Sequence, residues 1–100
     1  MLENIGKPFY LASAGDNQVV STGPAILLGI IFGADVGSAV VEISDSATDG
    51  DENIKFRFAG STLATSIGAL TGINATFQKG ITVDLANQTH VTLVWKPAAV

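Results

Sequence analysis

The 100-residue chain contains no cysteine, which excludes a disulfide framework, a thiol nucleophile and a cysteine-ligated zinc site. A single histidine, His90, leaves no second imidazole to complete a typical metal or relay site. Basic residues are few: Lys7, Lys55, Arg57, Lys79 and Lys96 are scattered along a chain of net charge -4. Binding to a phosphate backbone needs a basic patch, so nucleic acid is excluded as a partner. The longest apolar run, Ala25 to Ala34, is half the roughly 20 residues of a membrane helix, and it is β-branched and broken by glycine. No membrane span is expected. The opening stretch Met1 to Pro8 has neither the basic n-region nor the apolar h-region of a secretory signal, so the expectation is a protein made in the cytoplasm. Charged residues make up only 14% of the chain, against about 25% in an average soluble domain. Much of the surface is therefore expected to face something other than water.

What is present is strand chemistry. Short runs of alternating apolar and polar residues recur between turn residues, and no window carries a sustained helical period with caps. Strands are expected at Phe9 to Ser13, Gln18 to Ser21, Ala25 to Ala34, Ala39 to Ser44, Ile54 to Phe58, Gly80 to Leu85 and Val91 to Trp95. Turns fall at Ala14 to Asn17, at Thr22-Gly23-Pro24 and around Val36-Gly37. Ile54-Lys55-Phe56-Arg57-Phe58 alternates most cleanly, which places Ile54, Phe56 and Phe58 in the core and the two cations outside. A hairpin with the preceding strand would set Lys55 and Arg57 across from Glu42. The last two strands are expected to pair as a terminal hairpin, with Ile81, Val83, Leu85, Val91, Leu93 and Trp95 on its inner face. Gly60 to Ala75 shows no clear period and reads as irregular. Seven or eight antiparallel strands in one domain of this length predict an all-β fold, a single compact β-sandwich of jelly-roll or immunoglobulin-like type.

The strand from Ala25 to Ala34 differs from the rest in being apolar on both faces. Strict alternation puts Ile26, Leu28, Ile30 and Phe32 on one side and Ala25, Leu27 and Ile31 on the other. One core occupies one side, so the other is expected to meet either a second sheet layer folded over it or, more economically, a second copy of the protein. Ala25, Leu27 and Ile31 are the candidate self-contact residues. Phe9 and Tyr10 are adjacent in the first strand, so one of them points outward and is a candidate partner contact.

Three constellations invite chemistry and carry little. Asp45, Asp49, Asp51, Glu52 and Asn53 cluster as calcium ligands do, but an EF-hand register starting at Asp45 puts Ala47 at its third position and Phe56 where the closing glutamate belongs. A solvated loop is the expectation. His90 and Asp84 lack a nucleophile-elbow pattern, and no glycine-rich stretch continues into the lysine and hydroxyl of a phosphate-binding loop. No catalytic residue, cofactor or metal is expected.

Gly6-Lys7-Pro8 before the first strand, Ser21-Thr22-Gly23-Pro24 opening a long apolar strand, Val40 to Asp45, and Gly80-Ile81-Thr82-Val83-Asp84-Leu85 leading to Val91-Thr92-Leu93-Val94 together span most of the chain. In this order they resemble small β-sandwich structural proteins of tailed bacteriophages. The resemblance implies a non-enzymatic virion protein. Such proteins serve as capsid decoration (cement) proteins clustered as trimers, or as parts of tails and fibres with a receptor or glycan to bind. The first role implies a homotrimer that contacts the major capsid protein or another virion protein; for that contact, with the capsid or a neighbouring subunit, the adjacent aromatics Phe9 and Tyr10 are the candidates. The implied location is the virion.

Overall fold

The computed structural model describes residues 8–11, 15–33, 39–49, 52–60, 68–86 and 91–98, with residues 8–11, 16, 39 and 60 described by their backbone alone. Eight strands run in order: β1 (Pro8–Leu11), β2 (Gly15–Ser21), β3 (Ala25–Phe32), β4 (Ala39–Asp45), β5 (Ile54–Gly60), β6 (Ala69–Phe77), β7 (Ile81–Ala86) and β8 (Val91–Pro97). They form two four-stranded sheets, β1-β8-β3-β6 (sheet A) and β2-β7-β4-β5 (sheet B), with every pairing antiparallel. Pairs β1·β8, β2·β7, β3·β6 and β4·β5 nest inside one another. The chain is thus a single long hairpin whose tip is the β4–β5 loop, rolled so that β3 also pairs β8 and β4 also pairs β7. This is the jelly-roll order, and it decides between the two sandwich types expected from the sequence.

The core lies between the inner faces. Sheet A contributes Leu27, Ile30, Phe77 and Leu93, and sheet B contributes Val41, Ile43, Ile81 and Val83, all fully buried. Four phenylalanines join the layers: Phe32 meets Phe58 edge-on at 5.2 Å between centroids, and Phe56 lies 6.4 Å from both Phe58 and Phe77. Offset and edge-on pairs of this kind add to burial because they oppose the positive ring edge to the negative face. The inner-face set expected for the last two strands is correct, with Trp95 partly buried against the core. Their pairing is not. β7 sits between β2 and β4 while β8 sits between β1 and β3, so the connection between them crosses from sheet B to sheet A instead of turning a hairpin. Two strands that are each hydrogen-bonded on both sides by remote partners have no free edge left for each other.

The β4–β5 hairpin forms as expected, with Glu42 opposite Arg57 and a 3.1 Å contact from Arg57 Nε to Glu42 Oε2. Lys55 does not share that carboxylate; its Nζ lies 5.5 Å from the centre of the Phe77 ring. Ile54, expected inside, is 42% exposed: β5 advances two residues from Phe56 to Ile54 while β4 advances one, from Ile43 to Ser44, so Ile54 stands opposite Ser44, on the Glu42 side of the hairpin, instead of on the inward side of Ile43 and Phe56. The stretch read as irregular contains β6, an edge strand whose alternation is interrupted by Gly72 (φ 69°) and Asn74 (φ 52°); residues 61–67 lie outside the described residues. Only glycine and short polar side chains such as asparagine enter this left-handed region readily, so the two positions mark an irregularity in the strand.

The hairpin tip is fastened to the β6–β7 turn. Asp45 Oδ1 accepts the Lys79 N–H at 2.8 Å and Asp45 Oδ2 accepts the Gln78 N–H at 3.1 Å. Ser46 Oγ accepts the N–H groups of Thr48 and Asp49, and its carbonyl accepts the Thr82 hydroxyl at 2.8 Å. Partial burial alone would raise the Asp45 pKa. The backbone N–H groups of Lys79, Gln78 and Gly80, with the charge of Lys55, outweigh that and hold it below its ordinary value of 3.8.

Candidate interaction surface

The side of sheet A turned away from the core is described on three of its strands, β8, β3 and β6. Register sets three cross-strand rows on it: Ile31 with Ala69 and Thr92, Gly29 with Thr71 and Val94, and Ile26 with Thr76 and Lys96. Directly opposed residues in antiparallel strands share a face. The rows are not evenly spaced, because β3 advances two residues from Leu27 to Gly29 while β8 advances one, from Trp95 to Val94. Leu28 is the extra residue. On the other side β6 advances four, from Ala75 to Thr71.

This bulge reverses the parity of β3. Ala25 and Leu27 point inward before it, and Ile30 and Phe32 point inward after it. Strict alternation would have put Leu27 and Ile31 on the same face. They are on opposite faces: Leu27 is fully buried and Ile31 is 48% exposed. Of the candidate self-contact residues, Ala25 and Leu27 therefore belong to the core, and Ile31 alone is presented outward. The side chains of Phe9 and Tyr10 lie outside the described residues; the backbone register places Phe9 opposite Leu93 and Tyr10 opposite Thr92.

At the bulge the sheet opens into a groove of about 230 Å³, lined almost wholly by apolar atoms of Leu28, Gly29, Ile30, Ile31, Leu70, Thr71 and Val94. Gly29 makes its floor: a Cβ there would stand 3.0 Å from the Leu70 carbonyl oxygen, closer than nearly all real contacts of that kind, so a side chain would force the strands apart. Leu28, Val94 and Leu70 were not singled out by the sequence. The signal for them was a glycine inside an apolar strand run, which marks a bulge or a close backbone approach.

Charge is divided between the layers. Among their strand residues, sheet A carries Lys96 alone, whereas sheet B carries Asp16, Glu42, Asp45, Lys55, Arg57 and Asp84. Sheet B is thus the polar side and sheet A the apolar one.

The remaining candidates are dispersed. His90 lies outside the described residues, while Asp84 is nearly buried on β7 and its Oδ1 accepts the Asn17 N–H at 2.6 Å. In the acidic loop, both Asp45 carboxylate oxygens are occupied by backbone donors; Gly50 and Asp51 are outside the described residues. Among the described residues no three acidic, histidine or cysteine side chains gather as metal ligands, and no helix is long and apolar enough to cross a membrane. Among the described residues, the outer face of sheet A with its apolar groove is the candidate interaction surface. Compared with known protein families, curated proteins and solved structures, the chain matches none.

Proposed function

We propose that the chain is a non-enzymatic structural protein of the virion, a capsid decoration or cement protein that self-associates as a trimer and braces a bacteriophage head lattice by contacting the major capsid protein. The observation that carries the reading is the outer face of sheet A, where a single lysine accompanies Ile26, Leu28, Ile31 and Val94 around an apolar groove. Burial of such a face gains roughly 25 cal/mol per Å², and a face without paired charges carries little desolvation penalty against that gain. A jelly roll serves capsid and lectin domains alike, so the architecture adds an analogy and the face adds the argument.

The test is the mass of the purified protein by light scattering across a range of concentrations. A stable mass near three times 10.3 kDa supports a trimeric assembly module. A monomer at every concentration refutes self-association. Saturable binding on a glycan array through the exposed loops would replace the head role with a tail or fibre role.

A further inference from the structure

We infer that the copies join head to tail: the groove on sheet A of one copy receives the hairpin tip of the next, with Ile54 as the knob and Glu52 facing Lys96. This rests on the self-association proposed above and specifies its geometry. Among the described residues the large apolar side chains left exposed are two, Ile31 at 48% and Ile54 at 42%. Ile31 borders the groove, so it is part of the socket. Ile54 is on the other sheet, at the strand end that holds Asp45 and Phe77, while Ile31 is at the end that holds Ala69 and Val91. The tip therefore cannot fold into its own groove, and the two can meet only between copies.

Charge selects this arrangement over a face-to-face dimer. If sheet A packed on sheet A, the lysine at position 96 would meet a face whose strands carry no acidic residue. The tip supplies one: Glu52 is exposed two residues before Ile54, as Lys96 stands two residues beyond Val94 of the socket. Opposite charges flanking an apolar contact set its register and suppress the wrong mating.

A heterologous contact of this kind closes into a ring when the rotation allows. The base of the tip is closed by Asp45 N–H, which donates to the Asn53 carbonyl at 2.9 Å, and Asn53 occupies the left-handed region at φ 56°.

Light scattering on the wild type, Ile54→Asp, Ile31→Asp, Glu52→Lys and the double variant Glu52→Lys/Lys96→Glu tests this. The expected result is an oligomeric wild type, monomers of 10.3 kDa for both aspartate variants, at least tenfold weaker association for Glu52→Lys, and recovery in the double variant. If Ile31→Asp dissociates the protein while Ile54→Asp keeps the wild-type mass, the head-to-tail geometry is overturned and self-association through sheet A stands. If the wild type is itself a monomer, both fall. Circular dichroism confirms that each variant is folded; were Ile54→Asp to lose its fold, failure of the double variant to recover association would overturn the geometry.

Discussion

Leu27 and Ile31 are four residues apart in one strand, and replacing each by alanine in turn measures the bulge between them. Leu27→Ala removes three carbon atoms from a side chain with no exposed surface, a member of the buried core cluster with Ile30, Phe77, Val41 and Ile43. At about 0.8 kcal/mol per buried carbon the transfer loss is roughly 2.4 kcal/mol, and the cavity left in a core of this density raises the cost to about 3–4 kcal/mol. Ile31→Ala removes carbons that are already half in water, so its cost within the monomer is about 1 kcal/mol or less. For a domain of this size each kcal/mol lowers the melting temperature by about 4–8 °C. Leu27→Ala should therefore melt at least ~12 °C lower, and Ile31→Ala only a few degrees lower. The assay is urea and thermal unfolding followed by Trp95 fluorescence, at a dilution that removes any association. Equal losses, or a larger loss for Ile31→Ala, would mean that the strand alternates without interruption and that the groove and its rim are misplaced.

Asp45→Asn should destabilise the protein at pH 7, because the neutral amide loses the charge-assisted acceptance of the Lys79 and Gln78 N–H groups. The folded pKa lies below the ordinary 3.8, so the wild-type advantage is complete above that value and fades as pH falls through the folded pKa; a stability difference unchanged from pH 7 to pH 2 would contradict the fastening of the hairpin tip. Gly80→Ala should cost ~1–3 kcal/mol or prevent folding, since its Cβ would collide with the Ser21 carbonyl and come within 3.1 Å of Ser46 O and Ala47 Cα; chemical denaturation reads it, and a neutral outcome would mean the β6–β7 turn is looser than described. Asn74→Gly should be close to neutral and Asn74→Ala should cost about 1 kcal/mol, given φ 52° at that position. Glu42→Ala should change stability by less than about 0.5 kcal/mol, with the difference shrinking in salt, because its partner Arg57 is largely exposed.

The sequence by itself determined the class of fold and most strand positions, because alternation and turn residues act over a few neighbours: the pattern of Ile54 to Phe58, the Ser21 to Pro24 break, whose hydroxyl contacts the Gly23 backbone, and the inward set of β7 and β8 are all local signals. It also bounded the surface, since a chain so poor in charge leaves one layer nearly without it. Which strands pair is set by the assembled fold. A short polar loop such as Ala86 to Thr89 is compatible with a hairpin or with a crossing between sheets, and the choice depends on partners far away in the chain, β2 and β4 for β7, β1 and β3 for β8. The candidate surface was misread for the same reason. A two-residue period carries Leu27 and Ile31 to one face, but the register of β3 against β8 and β6 inserts Leu28 and shifts the period by one, and a shift of one residue exchanges the faces of everything beyond it. Glycine 29 marked the place, yet whether a strand glycine makes a bulge is settled by the Leu70 backbone that approaches it, and that approach exists only once the sheet is assembled.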